Sequence, residues 1–331
     1  MKSAYTSAGV NISEGDRFVE TIKPLVKGTF SKNVVSGIGN FGAFFKIPGS
    51  FKTPVFVAST DGVGTKIKIA VKLKKHDTVG EDIVNHCVND IAVCGAVPLF
   101  FLDYLAFGKL RSKTAVDIVK GLVRGCKRNN CSLIGGETAE MPGVYKINDY
   151  DIAGTVIGAV EKNKIIDKKK VKLGDVLIGL KSNGLHTNGY SLARKVLLKK
   201  YKLTEKIDVL GTTLGKELLK VHKSYLKPIQ AVTKKVRVSS ISHITGGGIM
   251  GNTKRVVPRN LKIKIDWNAW QPQPIFGLIQ NRGKISDSGM RKVFNMGIGL
   301  VFIVRRRDLH SVIRILKKIK EKHYIIGEIT T

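Results

Sequence analysis

The stretch Pro54-Val-Phe-Val-Ala-Ser-Thr-Asp-Gly-Val-Gly-Thr-Lys66 decides the fold of the first half of the chain. Its first seven residues have the composition of a short buried strand. A polar turn follows at once, and its two glycines let the backbone approach a ligand closely. An aspartate at its start can hold Mg²⁺ through oxygen, the ligand atom this cation prefers. We therefore predict a strand that ends in a phosphate-binding turn made by Asp61, Gly62, Gly64, Thr65 and Lys66.

The alternative for this turn is an ordinary strand end without a ligand. A Walker A loop, G-x-x-x-x-G-K-[ST], occurs nowhere in the chain. A second glycine-rich stretch, Gly37–Gly42, matches G-x-G-x-x-G, but Pro48 follows too soon for the helix that a Rossmann dinucleotide site needs. We interpret it as a loop able to fold over a ligand, within an N-terminal arm of little periodicity.

Hydrophobic periodicity outlines the remaining elements. Apolar residues at every fourth position, from Val79 to Ile91, predict a helix over Thr78–Gly95. The further predicted elements of the first half are strand Leu99–Phe107, helix Lys113–Arg128 and strands Cys131–Ile134 and Tyr150–Val160. After the polar, lysine-rich Glu161–Gly174 come strand Asp175–Leu180, helix Asn188–Tyr201, strands Ile241–Ile244, Leu261–Asp266 and Phe294–Val304, helix Asp308–Lys322 and strand Tyr324–Ile329. Such mixing without strict alternation predicts an α+β fold of two domains.

Polar groups gather near these predicted strand ends. Asp82, Asn85, Asn89 and Asp90 lie on or near the polar side of the Thr78–Gly95 helix. An aspartate, Asp103, interrupts an apolar strand, and Glu137 follows Gly135-Gly136. Carboxylates at strand ends and on an adjoining helix suit Mg²⁺–nucleotide binding. The alternatives are a solvated helix face and a core carboxylate satisfied by backbone donors.

Two histidines lie beside glycine-containing turns. His186 belongs to the polar loop Ser182–Gly189, which precedes a predicted helix. His243 comes shortly before Gly246-Gly247-Gly248. Helix starts of this kind can bind phosphate, and histidine titrates near neutrality. A lone histidine is nevertheless more often structural, so both interpretations stay open at this point.

Composition narrows the class of protein. The chain has 331 residues, 43% of them hydrophobic and 25% charged, which is typical of a globular protein. Its net charge of +32 raises a nucleic-acid hypothesis, but lysine is spread over the whole chain and no basic stretch is interleaved with aromatic residues. We expect weak adhesion to polyanions and no specific nucleic-acid partner. The four cysteines lack metal-binding spacing, and the N-terminus lacks the apolar core of a secretory signal, so we expect reduced thiols, a cytoplasmic protein and no membrane partner.

Taken in order, the motifs resemble the AIR synthetase family over nearly the whole chain. They are Tyr5–Asn11, Lys23–Lys27, Phe41–Ala43, Asp61–Lys66, His76–Thr78, Val88–Asp90, Pro98–Tyr104, Gly135–Pro142, Tyr150–Gly154, His186–Ser191, His243–Gly248 and Phe294–Gly297. The segment Gly-Gly-Glu-Thr-Ala-Glu-Met-Pro and the pair Val-Asn-Asp and Phe-Leu-Asp-Tyr distinguish this family from selenophosphate synthetase and thiamine-monophosphate kinase. The alternative is a sister enzyme of that superfamily, which uses ATP to phosphorylate another small molecule.

The resemblance implies two α/β domains, with the N-terminal sheets of two subunits pairing into a barrel at a homodimer interface. It also implies an ATP-dependent ligase that converts formylglycinamidine ribonucleotide into aminoimidazole ribonucleotide, ADP and phosphate, using Mg²⁺ and with a need for K⁺ left open. The expected division is an arm over residues 1–50, an ATP-binding and dimerisation domain over 51–165 and a C-terminal domain over 170–331.

The residues carried over from the family fall into three groups. The candidates for catalysis are Lys27, Asp61, His186 and His243; those for nucleotide binding are Phe41, Gly42, Gly62, Gly64, Thr65, Lys66, Asn89, Asp90, Glu137 and Thr138; those for Mg²⁺ are Asp61, Asp90 and Glu137. The chain departs from the family in two segments of its second half. Where relatives commonly read Leu-x-Pro-Thr-x-Ile-Tyr, it has Leu219-Lys-Val-His-Lys-Ser-Tyr225, and Gln280–Arg291 also matches poorly.

Overall fold

The computed structural model describes residues 12–39 and 42–331, and the chain divides into two compact units. The first unit runs up to Ile91 and takes in Val97–Glu161, and the second consists of Ala92–Ala96 and Lys162–Thr331. No helix within the described residues is both long enough and apolar enough to cross a membrane.

The first unit is a four-stranded sheet with helices. Its elements are α1 (Ile12–Lys27), β1 (Pro54–Gly62), a 3₁₀ turn (Gly64–Lys66), α2 (Ile67–Leu73), α3 (Asp77–Ala92), β2 (Val97–Phe107), α4 (Ser112–Arg128), β3 (Ser132–Glu140) and β4 (Tyr150–Glu161). The strand order is β1-β4-β2-β3. Strands β2 and β3 are parallel and joined through α4, whereas β4 is antiparallel to both β1 and β2. The sheet is therefore mixed, as the α+β prediction requires.

The N-terminal arm contains a helix that the sequence analysis missed. Residues Ile12–Lys27 form α1, although we expected little periodicity there. Phe18, Ile22 and Val26 recur at every fourth position, and Phe18 and Val26 are almost completely buried. The prediction was wrong because the glycine-rich character of Gly37–Gly49 does not extend to the residues that form α1.

The second unit is built on a five-stranded antiparallel sheet. Its strands and α-helices are β5 (Val176–Lys181), α5 (Tyr190–Leu197), β6 (Lys206–Ile207), β7 (Thr212–Thr213), α6 (Leu214–Leu218), α7 (Leu226–Thr233), β8 (Ser240–His243), α8 (Gly248–Arg255), β9 (Lys262–Ile265), α9 (Pro274–Gly283), α10 (Asp287–Val293), β10 (Ile298–Val304), α11 (Leu309–Lys318) and β11 (His323–Thr330). The strand order is β8-β10-β5-β11-β9, and β6 pairs with β7 separately. Strand β10, which lies between β8 and β5, is buried at every position, which explains its unbroken apolar sequence.

Most predicted strands and helices are confirmed, with ends that move by a few residues. Two differences affect the site. Strand β3 continues to Glu140, so Gly135–Glu137 lie inside a strand and not at its end. The helix expected over Asn188–Tyr201 is shorter and spans only Tyr190–Leu197.

A glycine contact fixes α3, the helix that carries several candidate residues. A Cβ atom on Gly121 of α4 would lie 1.9 Å from the Asp77 carbonyl oxygen, and one on Gly80 of α3 would lie 2.1 Å from the Ile118 carbonyl oxygen. The two backbones therefore touch, and no larger residue fits at either position. Helix α3 is held at this crossing, and two of its polar residues, His86 and Asp90, contact Asp61 and Ser59 of β1.

Candidate active site

The end of β1 carries a hydrogen-bonded cluster of charged side chains. Asp61 Oδ2 lies 2.9 Å from His86 Nε2, and Asp61 Oδ1 accepts a hydrogen bond from the Gly62 N–H at 2.7 Å. Asp90, one turn beyond His86 on α3, accepts a hydrogen bond from the Ser59 hydroxyl at 3.1 Å. The first unit therefore brings together Asp61 and Asp90, two of the three predicted metal ligands.

The electrostatics of this cluster keep Asp61 ionised. Burial by itself would raise the pKa of Asp61, but the hydrogen bond and charge of His86 and the Gly62 N–H outweigh it, so the pKa is lowered. The negative charge of Asp90 acts in the opposite direction. For His86, burial would lower the pKa, but Asp61 and then Asp90 raise it overall. Since the Asp61 side chain is 40% exposed, the cluster presents negative charge to the surface.

His86 is a site residue that the sequence analysis did not identify. A signal for it exists in the spacing Asp82-x-x-x-His86-x-x-x-Asp90, because residues four apart lie on one face of a helix. The predicted polar side of this helix included Asp82 and Asp90 but omitted His86, which lies between them.

The turn after β1 lies partly at the surface of the first unit. Val63 is buried, whereas Gly64 and Thr65 are exposed. Gly64 adopts a φ of +70°, a conformation that costs glycine little. The turn then tightens into the 3₁₀ segment Gly64–Lys66, which leads directly into α2.

Lys66 is not placed as predicted. It is fully buried, and its Nζ lies 2.8 Å from an Asp82 carboxylate oxygen that is itself fully buried. Burial lowers the pKa of Lys66, against the charge of Asp82, which raises it. The ammonium is therefore engaged in an internal ion pair and is not presented to a phosphate. The reason is that the 3₁₀ turn directs this side chain inward, beneath α3.

The two asparagines of α3 are buried as well. Asn85 Oδ1 accepts a hydrogen bond at 2.8 Å from Nδ2 of Asn129, the residue after α4. Asn89, predicted to contact nucleotide, is 0% exposed. Asn85 thus joins α3 to α4, and the structure places Asn89 away from solvent.

Glu137 and Thr138 lie at the opposite edge of the sheet from Asp61. Asp61 pairs with Gly154, which pairs with Asp103, which pairs with Gly136. Three inter-strand spacings amount to ~14 Å between the β1 and β3 backbones. Within one copy of the chain, Glu137 is therefore not part of the Asp61–Asp90 cluster, and the prediction of one three-carboxylate metal site needs this correction.

A small cavity adjoins Glu137 and Thr138. Its volume is about 250 Å³, and it is lined by α1 together with Asp103 and the Gly135–Thr138 segment. A Cβ atom on Gly136 would lie 2.6 Å from Asp103 Oδ1, so glycine is required where β3 passes this carboxylate. Burial raises the pKa of Asp103 to about 7, with backbone hydrogen bonding acting in the opposite direction.

We expect Asp103 to make the stability of the protein fall between pH 4 and pH 7. Between these pH values the folded state keeps the proton of the Asp103 carboxyl, whereas the unfolded state has lost it. Raising the pH therefore lowers the free energy of unfolding. The effect should be about 2 kcal/mol, allowing for the partial exposure of the residue. Urea unfolding at both pH values checks it: Asp103→Asn should remove the difference, whereas Asp208→Asn, at an exposed site, should not. Equal pH dependence in wild type and Asp103→Asn would show that the carboxyl titrates normally.

The remaining predicted residues of the arm are less constrained. Lys27 is exposed at the last position of α1. Gly42 is exposed, and a Cβ atom there would meet nothing within 4 Å. Phe41 lies outside the described residues. Neither Lys27 nor Gly42 is brought to Asp61 by any hydrogen bond that the structure shows.

In the second unit, the two predicted histidines are joined by a third. His222 Nε2 lies 3.0 Å from His243 Nε2, and His222 Nδ1 lies 3.2 Å from Thr187 Oγ1. The His186 ring stacks on the His222 ring with centroids 4.1 Å apart, and His186 Nε2 accepts a hydrogen bond from the Asn183 N–H at 3.1 Å. All three imidazoles are buried.

The glycine turn after His243 is held by one asparagine. The Asn252 side-chain amide donates to the carbonyl oxygens of Thr245, Gly246 and Gly248, at 3.3, 3.1 and 2.9 Å. A Cβ atom on Gly248 would lie 2.0 Å from the Arg291 carbonyl oxygen, so the turn packs tightly against α10. The backbone that follows His243 is therefore rigidly placed.

Known proteins resemble the chain over almost its whole length. Residues 32–160 match the AIR synthase related protein, N-terminal domain, and residues 172–331 match the corresponding C-terminal domain. A phosphoribosylformylglycinamidine cyclo-ligase of Thermoanaerobacter pseudethanolicus is 51% identical, over 98% of this chain and 97% of the relative. One of Thermodesulfovibrio yellowstonii is 50% identical, over 99% and 96%.

Solved structures agree on the fold. The thiamine-monophosphate kinase of Stenotrophomonas maltophilia K279a has a TM-score of 0.69 at 15% identity, over 93% of both chains. The hydrogenase maturation protein HypE in complex with ATP has a TM-score of 0.63 at 12% identity, over 96% of this chain and 86% of that one. These likenesses agree with the two-domain α+β architecture, and the matches to the two AIR synthase related domains identify its type. Together with the near-complete sequence matches, they show that the chain belongs to the phosphoribosylformylglycinamidine cyclo-ligase family.

Proposed function

We propose that this chain catalyses the ATP-dependent cyclisation of formylglycinamidine ribonucleotide to 5-aminoimidazole ribonucleotide, releasing ADP and phosphate in purine biosynthesis. The observation that carries this proposal is the ionised Asp61 beside Asp90 at the end of β1. It occurs in a chain 51% identical to a phosphoribosylformylglycinamidine cyclo-ligase over nearly its full length. A carboxylate pair of this kind suits the metal–nucleotide complex that such a reaction consumes.

The reaction requires activation of an unreactive amide. ATP converts the formyl amide oxygen into a phosphorylated leaving group, the amidine nitrogen attacks the same carbon, and phosphate departs as the ring closes. Phosphoryl transfer depends on positioning and on neutralising charge more than on a strong protein nucleophile. The exposed turn residues Gly64 and Thr65 provide N–H and hydroxyl donors for phosphate oxygens next to the carboxylates, while the half-buried Gly62 holds Asp61 through its N–H.

The carboxylates of the cluster fit Mg²⁺. Asp61 and Asp90 offer the oxygen ligands this cation prefers, and each acts on the other as a like charge. A bound divalent cation would relieve that repulsion and offset negative charge on the phosphates. His86 holds Asp61 from the protein side and leaves part of the carboxylate accessible. Replacing K⁺ with Na⁺ in the activity assay checks whether the reaction needs K⁺.

The other candidate residues take supporting roles in this proposal. Lys27, Phe41 and Gly42 belong to an arm that closes over the nucleotide, and Glu137 and Thr138 contribute from the far edge of the sheet. His186 and His243 contact the substrate. Residues 51–165 form the ATP-binding and dimerisation domain, and residues 170–331 the C-terminal domain, of an enzyme that works in the cytoplasm.

Formation of aminoimidazole ribonucleotide by the purified protein tests the function. The protein is supplied with Mg-ATP and formylglycinamidine ribonucleotide, and the product is detected as a diazo-coupled amine alongside ADP. Product that requires both substrates, with one ADP for each, supports the proposal. ATP-dependent phosphorylation of another small molecule, with no aminoimidazole product, would replace it with the sister-kinase alternative.

We also propose that the enzyme is a homodimer that pairs through the first-unit sheets. Along β1, every second residue is exposed, and Phe56 is 56% exposed on that face. Tyr104 on β2 is 39% exposed, and its strand partner Ala153 is only half-buried. An apolar sheet face of this kind is typical of a surface that a second subunit covers.

Phe56→Glu is expected to convert the dimer into a monomer. A charge within an apolar interface would have to be buried without a partner, and the loss in binding free energy should be several kcal/mol, about that of removing an interface anchor. Sedimentation equilibrium of wild type and variant measures the change. Val209 of the second unit is about as exposed as Phe56, so Val209→Glu is the control and should leave the dimer intact. A monomeric wild type at micromolar concentration would refute the pairing.

A further inference from the structure

The first unit contains a further cavity, with a volume of about 520 Å³. It lies between the end of α2, the end of β2, the start of α4 and the segment that leads into β4, and none of its described lining residues belongs to the proposed active site. Tyr150 lines it and lies four residues before Gly154, the strand partner of Asp61, so the cavity is ~13 Å along β4 from the Asp61 cluster. Its volume is within the range of about 300–1,000 Å³ that is typical of small-molecule sites.

Close backbone contacts hold the rim of this cavity. Gly108, between β2 and α4, donates its N–H to the Asp149 carbonyl oxygen at 3.0 Å. A Cβ atom on Gly108 would lie 2.1 Å from the Lys146 carbonyl oxygen, so the connection before α4 touches the connection before β4. Arg111 Nη2 donates a hydrogen bond to Asn148 Oδ1 at 2.7 Å, which joins the same two connections a second time. The cavity is therefore a built feature of the first unit.

Positive charge dominates the cavity wall. Two carboxylates line it, together with four cations, which are Lys74, Lys109, Arg111 and Lys113. Each carboxylate has an ion-pair partner, since Asp149 lies 2.5 Å from Lys68 Nζ and Asp117 lies 3.3 Å from Lys120 Nζ. In the part of the chain that the structure describes, the three lysines of the wall form no ion pair. The wall therefore carries positive charge that a bound anion would neutralise.

Aromatic rings form the floor of the cavity. Phe107 and Tyr150 are buried, with ring centroids 5.7 Å apart. The His76 ring meets Tyr150 edge-on at 5.5 Å, and its Nδ1 lies 3.1 Å from the Tyr150 hydroxyl oxygen. Ile147 adds an apolar side chain that is 60% exposed. A flat ring packs well on such a surface, whereas a phosphate pairs with arginine and lysine.

We propose that this cavity binds a phosphorylated small molecule that carries a flat ring, the chemistry of a nucleoside monophosphate, at a site separate from the Asp61 cluster. The phosphate pairs with the cations around the start of α4, and the ring packs on the aromatic floor. Arg111 offers a planar fork that matches two phosphate oxygens, whereas Lys109 and Lys113 act as point charges. Because these side chains neutralise the phosphate themselves, the site needs no Mg²⁺.

Calorimetric titration of the full-length protein with AMP in EDTA tests the site. We expect one AMP per chain and binding that is about tenfold or more weaker in the double variant Lys109→Gln with Lys113→Gln, because each lysine contributes a charged contact to the phosphate. The control Lys234→Gln with Lys235→Gln removes the same charge at exposed positions of the second unit and should bind within about twofold of wild type. Thermal unfolding checks that both double variants fold.

Hydrogen exchange of the wild type locates the ligand independently of any variant. AMP should slow exchange in peptides that cover residues 107–114 and 144–150, and leave peptides of the second unit unchanged. Equal weakening in the two double variants would show attraction to the net charge of +32 alone, and protection confined to the turn after β1 would place AMP at the Asp61 cluster. Either result would overturn the proposal, and equal affinity for AMP and inorganic phosphate would overturn the ring contact.

The proposal stands apart from the proposed function. Binding of AMP in EDTA should persist in Asp61→Asn, because this substitution changes a residue outside the cavity. Loss of that binding in a folded Asp61→Asn would count against a separate site. A protein that forms no aminoimidazole product but binds AMP in this way would refute the proposed function and leave the second site in place.

Discussion

Asp61→Asn is expected to lower kcat about 100-fold or more without unfolding the protein. Loss of a group that merely orients a metal ligand lowers metal affinity or activity about 10–100-fold. Loss of a charged ligand itself should therefore lower activity at least as much. Asparagine has nearly the same shape and still accepts a hydrogen bond from the Gly62 N–H, but it carries no charge for a cation or for His86. Product formation at saturating ATP and substrate measures the loss.

Two controls separate this effect from general damage. Asp208→Asn makes the same chemical change at an exposed position of the second unit and should keep kcat within about twofold, like most surface substitutions. Calorimetric titration should show that Asp61→Asn weakens binding of Mg-ATP more than binding of metal-free ATP. Turnover close to that of wild type in Asp61→Asn would remove this residue, and with it the cluster at the end of β1, from the mechanism.

Lys66→Met is expected to destabilise the protein by about 3–5 kcal/mol, because it removes the ammonium that forms an ion pair with a fully buried carboxylate. The Lys66 and Asp82 side chains are both 0% exposed and lie 2.8 Å apart. Methionine fills the space of the lysine stem, so the loss reports the charge and not a cavity. Urea unfolding followed by circular dichroism measures the free energy of unfolding.

The chain provides a matched control two residues further on. Lys68 pairs with Asp149 at 2.5 Å, but its side chain is 43% exposed. Lys68→Met should therefore cost less than about 1 kcal/mol, as exposed ion pairs do. The double variant Lys66→Met with Asp82→Leu should recover most of the stability, since no charge is then left unpaired. Equal losses from Lys66→Met and Lys68→Met would show that the buried pair is solvated in solution.

Local pattern was sufficient for most of the sheet. The β-forming composition of Pro54–Thr60 and the unbroken apolar run of β10 are properties of consecutive residues, so the sequence predicts both strands. The expectation that β1 is buried was wrong, because its positions are half-buried or exposed. The predicted turn after β1 also lies where its glycines indicated. Local pattern would also have predicted helix α1, because apolar residues recur at every fourth position, at Phe18, Ile22 and Val26.

The direction of a side chain depends on tertiary packing, and there the sequence was not sufficient. A lysine after a glycine turn is equally compatible with a phosphate and with a buried carboxylate, and only the position of α3 over β1 selects Asp82 as its partner. Glu137 could not be excluded from the metal cluster until the strand order placed β3 at the far edge. His222 lies in a segment that departs from the family pattern, and only the folded chain shows that its ring contacts His243.

The strand order also has a consequence for the time course of synthesis. Among the described strands, β1 pairs with β4 alone, with Pro54 opposite Glu161, so β1 leaves the ribosome long before its partner exists. In the second unit, β5 lies between β10 and β11, the two strands furthest along the chain. Closing such long loops is slow, and unpaired strands expose edges that promote aggregation. Both sheets therefore have to wait for a late strand, and nascent chains should depend on chaperones until Thr330 has emerged.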